Sequence, residues 1–180
     1  DIGADGVQLQ GMSRNTLITS NKFEVIRPYK YRDMNGNVVS TKFGNVGENA
    51  IDIKNGPGPI MISGNVIKGF RPTVSGQDAS GASGEGVVIH EKAKGVSLHR
   101  NHFIDNTIHL SAVKGSSQDN LPARDLEIRN NIFENSPSGL RFEYVSSIRI
   151  YNNTFLNDSG TGKRLLRLQN VGNMEVMNNV

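Results

Sequence analysis

The sequence predicts an all-β solenoid, a right-handed parallel β-helix of about six coils, on three observations. One short pattern recurs along the chain: apolar, any, apolar, two residues, Asn, any, Phe or Ile. Each copy follows a second short stretch of apolar–polar alternation, the period of a strand with one face in and one face out. No stretch carries a 3.6-residue period, and 20 Gly and 21 Asn punctuate the 180 positions.

The copies can be taken in order. Ile18, Asn21 and Phe23 form a weak first one, and Ile60-Met61-Ile62-Ser63-Gly64-Asn65-Val66-Ile67 is the second. Val96, Leu98, Asn101 and Phe103 make the third, and Leu126, Ile128, Asn131 and Phe133 the fourth. Ile148, Ile150, Asn153 and Phe155 follow, then Met174, Val176 and Asn179. The Asn positions are thus 21, 65, 101, 131, 153 and 179, separated by 44, 36, 30, 22 and 26 residues. The preceding stretches are Gly6–Leu9, Ala50–Ile53, Gly86–Ile89, Thr107–Leu110, Gly139–Phe142 and Leu165–Leu168.

Two short strands per coil and a minimum repeat of 22 residues describe a unit that buries its apolar side only by stacking. The corner Asn is expected to bond to the Asn above and below and to adopt the left-handed conformation that a sharp corner needs. A leucine-rich repeat would show Leu-x-x-Leu-x-Leu and a helical segment per unit, and neither is present. Repeats longer than the minimum locate insertions at 24–49, 68–85 and 114–124. Residues 1 and 180 both fall inside repeats. The expectation is therefore one domain over 1–180, a segment of a longer array whose bare ends would self-associate.

Composition excludes several classes. There is no Cys, hence no disulfide scaffold, thiolate metal site or cysteine nucleophile, and no Trp to stack on a sugar. No apolar run reaches the length of a membrane span. The 20 basic and 17 acidic residues leave a net charge of +3 without any like-charged block. That argues against a nucleic-acid tail and is compatible with an anionic ligand. No phosphate loop, HExxH or Gly-x-Ser-x-Gly element occurs.

Outward residues of consecutive coils stack into columns about 4.8 Å apart. On the first strand, one column reads Gln8, Asp52, Val88, His109, Arg141, Arg167, and the next Gln10, Lys54, His90, Ser111, Glu143, Gln169. Arg141 and Arg167 recur at one outward position, which suits either carboxylate recognition by a planar fork or a ladder with Glu143, and His109 in the same column is a further substrate-binding candidate. On the second strand, Met61, Ser97, Glu127, Arg149 and Glu175 alternate in charge as a paired ladder does. Tyr29 and Tyr31, among basic neighbours in the first insertion, are candidates for a sugar subsite wall.

Gly47-Glu48-Asn49-Ala50-Ile51-Asp52-Ile53-Lys54-Asn55-Gly56, followed by Gly84-Glu85-Gly86-Val87-Val88-Ile89-His90-Glu91, resembles consecutive coils of pectate-lyase-like β-helix proteins. That superfamily comprises polysaccharide lyases and, more distantly, polygalacturonase-type hydrolases. The resemblance implies a secreted, surface or periplasmic protein acting on an acidic polysaccharide, most closely an eliminase. β-Elimination removes the uronate C5 proton while a cation, Ca²⁺ or Arg, neutralises the carboxylate. The resemblance makes Lys54 the base, with His90 beside it, and Asp5, Glu48 and Asp52 the Ca²⁺ candidates. The hydrolase pattern needs an Asp-Asp pair and a Gly-His-Gly, where this chain has Glu48-Asn49 and Gly84-Glu85-Gly86. A polygalacturonase-like hydrolase is therefore the lesser alternative, after a non-catalytic binding, adhesin or tailspike-like module.

Overall fold

The computed structural model describes residues 5–11, 14–25, 35, 49–55, 58–70, 84–113, 121–156 and 164–180. Their regular elements are fifteen β-strands and no helix. Coil one holds β1 (Val7–Gln10), β2 (Thr16–Thr19) and β3 (Lys22–Glu24). Coil two holds β4 (Asn49–Lys54), β5 (Ile60–Ser63) and β6 (Val66–Lys68). Coil three holds β7 (Glu85–Ile89), β8 (Val96–His99) and β9 (His102–Ile104). Coil four holds β10 (Ile108–Ala112), β11 (Leu126–Arg129) and β12 (Ile132–Glu134). The long β13 (Leu140–Tyr151) and β14 (Thr154–Leu156) make coil five, and β15 (Leu166–Met177) belongs to coil six.

All pairing is between coils and parallel. One path runs β1-β4-β7-β10-β13-β11-β8-β5-β2, with β15 on β13, and a second sheet runs β14-β12-β9-β6-β3. The solenoid reading holds, with one correction: most coils carry three strands rather than two. The Asn-x-Phe tail of the motif is a strand of its own, too short to show an alternation. A left-handed residue immediately before each Asn turns the chain into it: Ser20, Gly64, Arg100, Asn130, Asn152 and Asn178, with φ from 51° to 64°. The ladder Asn residues themselves are not left-handed, so the corner geometry falls one residue earlier than expected.

The Asn column is as the repeats predict. Asn65 donates from Nδ2 to Asn101 Oδ1 at 3.0 Å and to the Ile18 carbonyl at 2.8 Å. The same oxygen of Asn101 accepts the Asn65 backbone N–H at 3.0 Å. This unit repeats from Asn21 to Asn179, so each corner satisfies backbone and side-chain groups that burial would otherwise orphan. Beside it Phe103, Phe133 and Phe155 stack at centroid spacings of 5.0 and 5.1 Å, one ring per coil. The column Ile51, Val87, Leu110 and Leu140 is wholly buried, as is Ile53, Ile89, Ala112 and Phe142 beside it.

His109 departs from the expected column. Ser111 pairs with Val88 and with Arg141, so Ser111 holds the expected outward place, while His109, near the start of β10, departs from the alternation and turns inward against Phe103 and Phe133. The expected column is two residues out of register on coil four, a shift that a two-residue alternation over Ile108–Ala112 cannot detect. His109 lies buried between Gly86 and Gly139, which leave room for its ring. It rests against Phe103 and Phe133, with Nδ1 3.2 Å from Asn106 Nδ2. A sugar-binding role for His109 is thereby removed.

Gly86 tests this packing. A Cβ there would stand 2.5 Å from the His109 carbonyl oxygen, 3.0 Å from Phe103 and 3.2 Å from Ile67. Gly86→Ala should therefore cost about 1–3 kcal/mol, read from the denaturant midpoint. An unchanged midpoint would mean that coils three and four are not packed this closely.

Candidate functional site

The outer face of β1, β4, β7, β10 and the first halves of β13 and β15 gathers most of the candidate residues. Asp52 and Lys54 lie two residues apart on β4, so both point outward. Ile53 pairs with Ile89, which sets His90 beside Lys54 on the next coil. Asp52 is only 2% exposed although it stands on the outer face. Its Oδ2 lies 3.0 Å from Lys54 Nζ, and its Oδ1 lies 3.1 Å from His90 Nε2. The second contact is an ion-pair approach without hydrogen-bond alignment, since Oδ1 accepts no aligned hydrogen bond.

Charge follows from this geometry. Burial pushes the Asp52 carboxyl up, but His90 and Lys54 outweigh it and hold it below the ordinary carboxylate range. The Asp52 contact raises His90 above the ordinary imidazole value, against burial. Asp5, on coil one, is raised by burial, opposed by the Asn49 bond and reinforced by the charge of Asp52. Its Oδ1 accepts from Asn49 Nδ2 at 2.9 Å and its Oδ2 from Gln8 Nε2 at 3.4 Å.

Linkage turns the Asp52–His90 pair into a pH dependence. A depressed carboxyl stabilises the fold above its unfolded value and loses that as pH falls through its folded one. A raised imidazole stabilises below its unfolded value and loses that as pH rises through its folded one. The pair is therefore at full strength between 3.8 and 6.5. On the alkaline side, melting temperature should fall above 6.5 in the native protein and less so in His90→Asn. Equal falls across a pH series would take this pair out of the stability account.

The rest of the strip is also paired. Arg141 donates to both oxygens of Glu143, at 3.0 Å from Nε and 2.9 Å from Nη2. Arg167 Nη2 from the next coil lies 3.2 Å from Glu143 Oε1. These contacts, led by the Arg141 bonds, hold the Glu143 carboxyl below its usual range. Glu85 is buried on the same face and accepts a short hydrogen bond from Ser111. The Ser111 contact and the Asp5–Asn49 link both join residues at a strand end to a neighbouring coil, where alternation gives no guide.

Tyr29, Tyr31 and Glu48 lie outside the described residues. Among the described residues no three His, Asp or Glu side chains come together as a metal site. The remaining Ca²⁺ candidates fit a hard cation poorly. Asp52 is committed to two cationic side chains, and the raised Asp5 carboxyl is a weaker oxygen donor. Glu85, buried and bonded to Ser111, is not presented to solvent as half of a hydrolytic acid–base pair. No helix among the described residues is long and apolar enough to cross a membrane.

Coils of parallel strands, an Asn ladder at one corner and stacked aromatic rings inside define the class, a parallel β-helix. The family model for the right-handed beta helix region matches residues 1–180, and the chain belongs to that family. No match was found among curated proteins or among solved structures.

Proposed function

We propose that this β-helix acts on an acidic, uronate-containing polysaccharide by β-elimination, in the manner of a pectate-lyase-like protein at the cell exterior. The supporting observation is the Asp52–His90–Lys54 set on one exposed face. It changes the roles that the resemblance implies. A carboxylate 3.0 Å from the Lys54 ammonium favours its charged form, which opposes work as a base and suits neutralising a substrate carboxylate. His90, whose Nε2 lies 3.1 Å from the buried Asp52 carboxylate, is the better base. In the reaction His90 takes the C5 proton and the C5–H electron pair becomes the C4=C5 bond. The C4–O bond breaks, and the departing oxygen takes a proton.

A second reading, a non-catalytic carbohydrate-binding or structural module, is favoured by a different observation. Lys54, His90, Arg141 and Arg167 each already meet a carboxylate of the chain. Incubation with pectate, alginate and glycosaminoglycans, with and without Ca²⁺, separates the two through the ultraviolet absorbance of the unsaturated product. A rise on any polymer supports the eliminase. Silence on all of them, with the polymers retained on immobilised protein, leaves the binding module.

A further inference from the structure

We infer that Arg141 and Arg167 form a carboxylate-binding station whose resident occupant is the chain's own Glu143, which a polyuronate carboxylate displaces. The inference rests on the reading of this face as an acidic-polysaccharide surface. Register sets the station: Arg141 pairs directly with Arg167 on the neighbouring coil, and Glu143 with Gln169. Two like charges one strand spacing apart repel unless an anion lies between them. Glu143 supplies that anion, and the neutral Gln169 leaves two guanidinium groups sharing one carboxylate. Buried Glu85 also acts on Arg141 electrostatically, as a weaker and more remote influence.

The second face provides the contrast. There Glu127 also meets two arginines, Arg129 and Arg149, at 3.3 Å each. Its carboxylate is further closed by the Tyr151 hydroxyl at 2.7 Å and the Ser97 hydroxyl at 3.2 Å. Glu143 has only the two arginines among the described residues, and both arginine side chains are partly exposed on the candidate face, 33% and 43%. Exchanging it for an external carboxylate replaces like with like, a planar fork on two oxygens. A tethered competitor acts at roughly millimolar effective concentration, so the station selects polymers that present many carboxylates over a single free uronate.

Removing the resident carboxylate should therefore uncover the station. Titration calorimetry with an oligogalacturonate should show Glu143→Gln binding about tenfold or more tightly than the native chain. Glu143→Ala gives the same reading should the glutamine variant fail to fold. Adding Arg141→Gln to either variant should cancel the gain. No tightening in a folded variant, or a gain that survives Arg141→Gln, overturns the station. The elimination assay distinguishes this from the function itself. A gain in the variant with a silent native chain supports the station and removes the eliminase. Activity in the native chain with no gain in the variant removes the station alone.

Discussion

His90→Ala should lower the elimination rate on a uronate polymer by about 10²–10⁴-fold, the cost of deleting a positioned base from proton abstraction. The side chain lies outside the apolar core, so the melting temperature should stay close to that of the native chain at alkaline pH, where the Asp52 pair contributes least. Because Asp52 raises His90, the native rate should climb with pH above 6.5, as the imidazole gives up its proton. His90→Ala should lose that ascending limb. Lys54→Ala should act differently, raising KM and lowering kcat together through loss of the neutralising cation. Native turnover in His90→Ala would place the base elsewhere on the face.

Asn131→Ala should be among the most damaging substitutions for stability. Asn131 is buried and donates from Nδ2 to the Leu98 carbonyl and to Asn153 Oδ1, both at 3.0 Å. Its own Oδ1 accepts the backbone and side-chain N–H groups of Asn101, also at 3.0 Å. Truncation removes bonds to coils three and five at once, leaving the Asn101 backbone N–H without its acceptor, and with partial relaxation the cost is about 3–5 kcal/mol. Asn21 sits in the same column but is exposed, so water replaces what its truncation removes. Asn21→Ala should then cost about 1 kcal/mol or less. Denaturant titration of both variants makes the comparison. Equal costs would mean that the ladder follows the fold without holding it.

The repeats made the coil order, the Asn column and the grouping of Asp52, Lys54 and His90 legible in the sequence. In each case a two-residue period carried by several aligned copies settles which way a side chain points. Where the period fails, legibility fails too. The strand after each Asn is three residues long, too short to display alternation. His109 lies two residues out of the expected register, a shift that alternation cannot detect, and its inward turn at the start of β10 is seen only in its contacts with Phe103 and Phe133. The Glu85–Ser111 bond and the Asp5–Asn49 link depend on spacing between coils at strand ends. The doubling of Arg141 and Arg167 and their ladder with Glu143 were visible, but that one carboxylate serves both guanidinium groups needed side-chain geometry.

β13 has a mechanical consequence. Coil three passes from its first strand to its second through a separate turn, His90–Gly95. β13 makes the same passage as one uninterrupted strand, bent at Tyr144 with φ of 64°, and pairs with β15 at ten positions on both sides of the bend. Coil five is therefore expected to brace the two walls as an elbow, and coil three, whose walls are joined by the turn His90–Gly95, is expected to yield more readily. In hydrogen exchange, the amides of Val145–Ser147 should be as slow as strand centres and slower than those of Glu91–Lys94, where Lys92 still donates to the Leu121 carbonyl. The candidate face around His90 would then lie on the more compliant part of the stack, where a polymer can be gripped without straining the elbow.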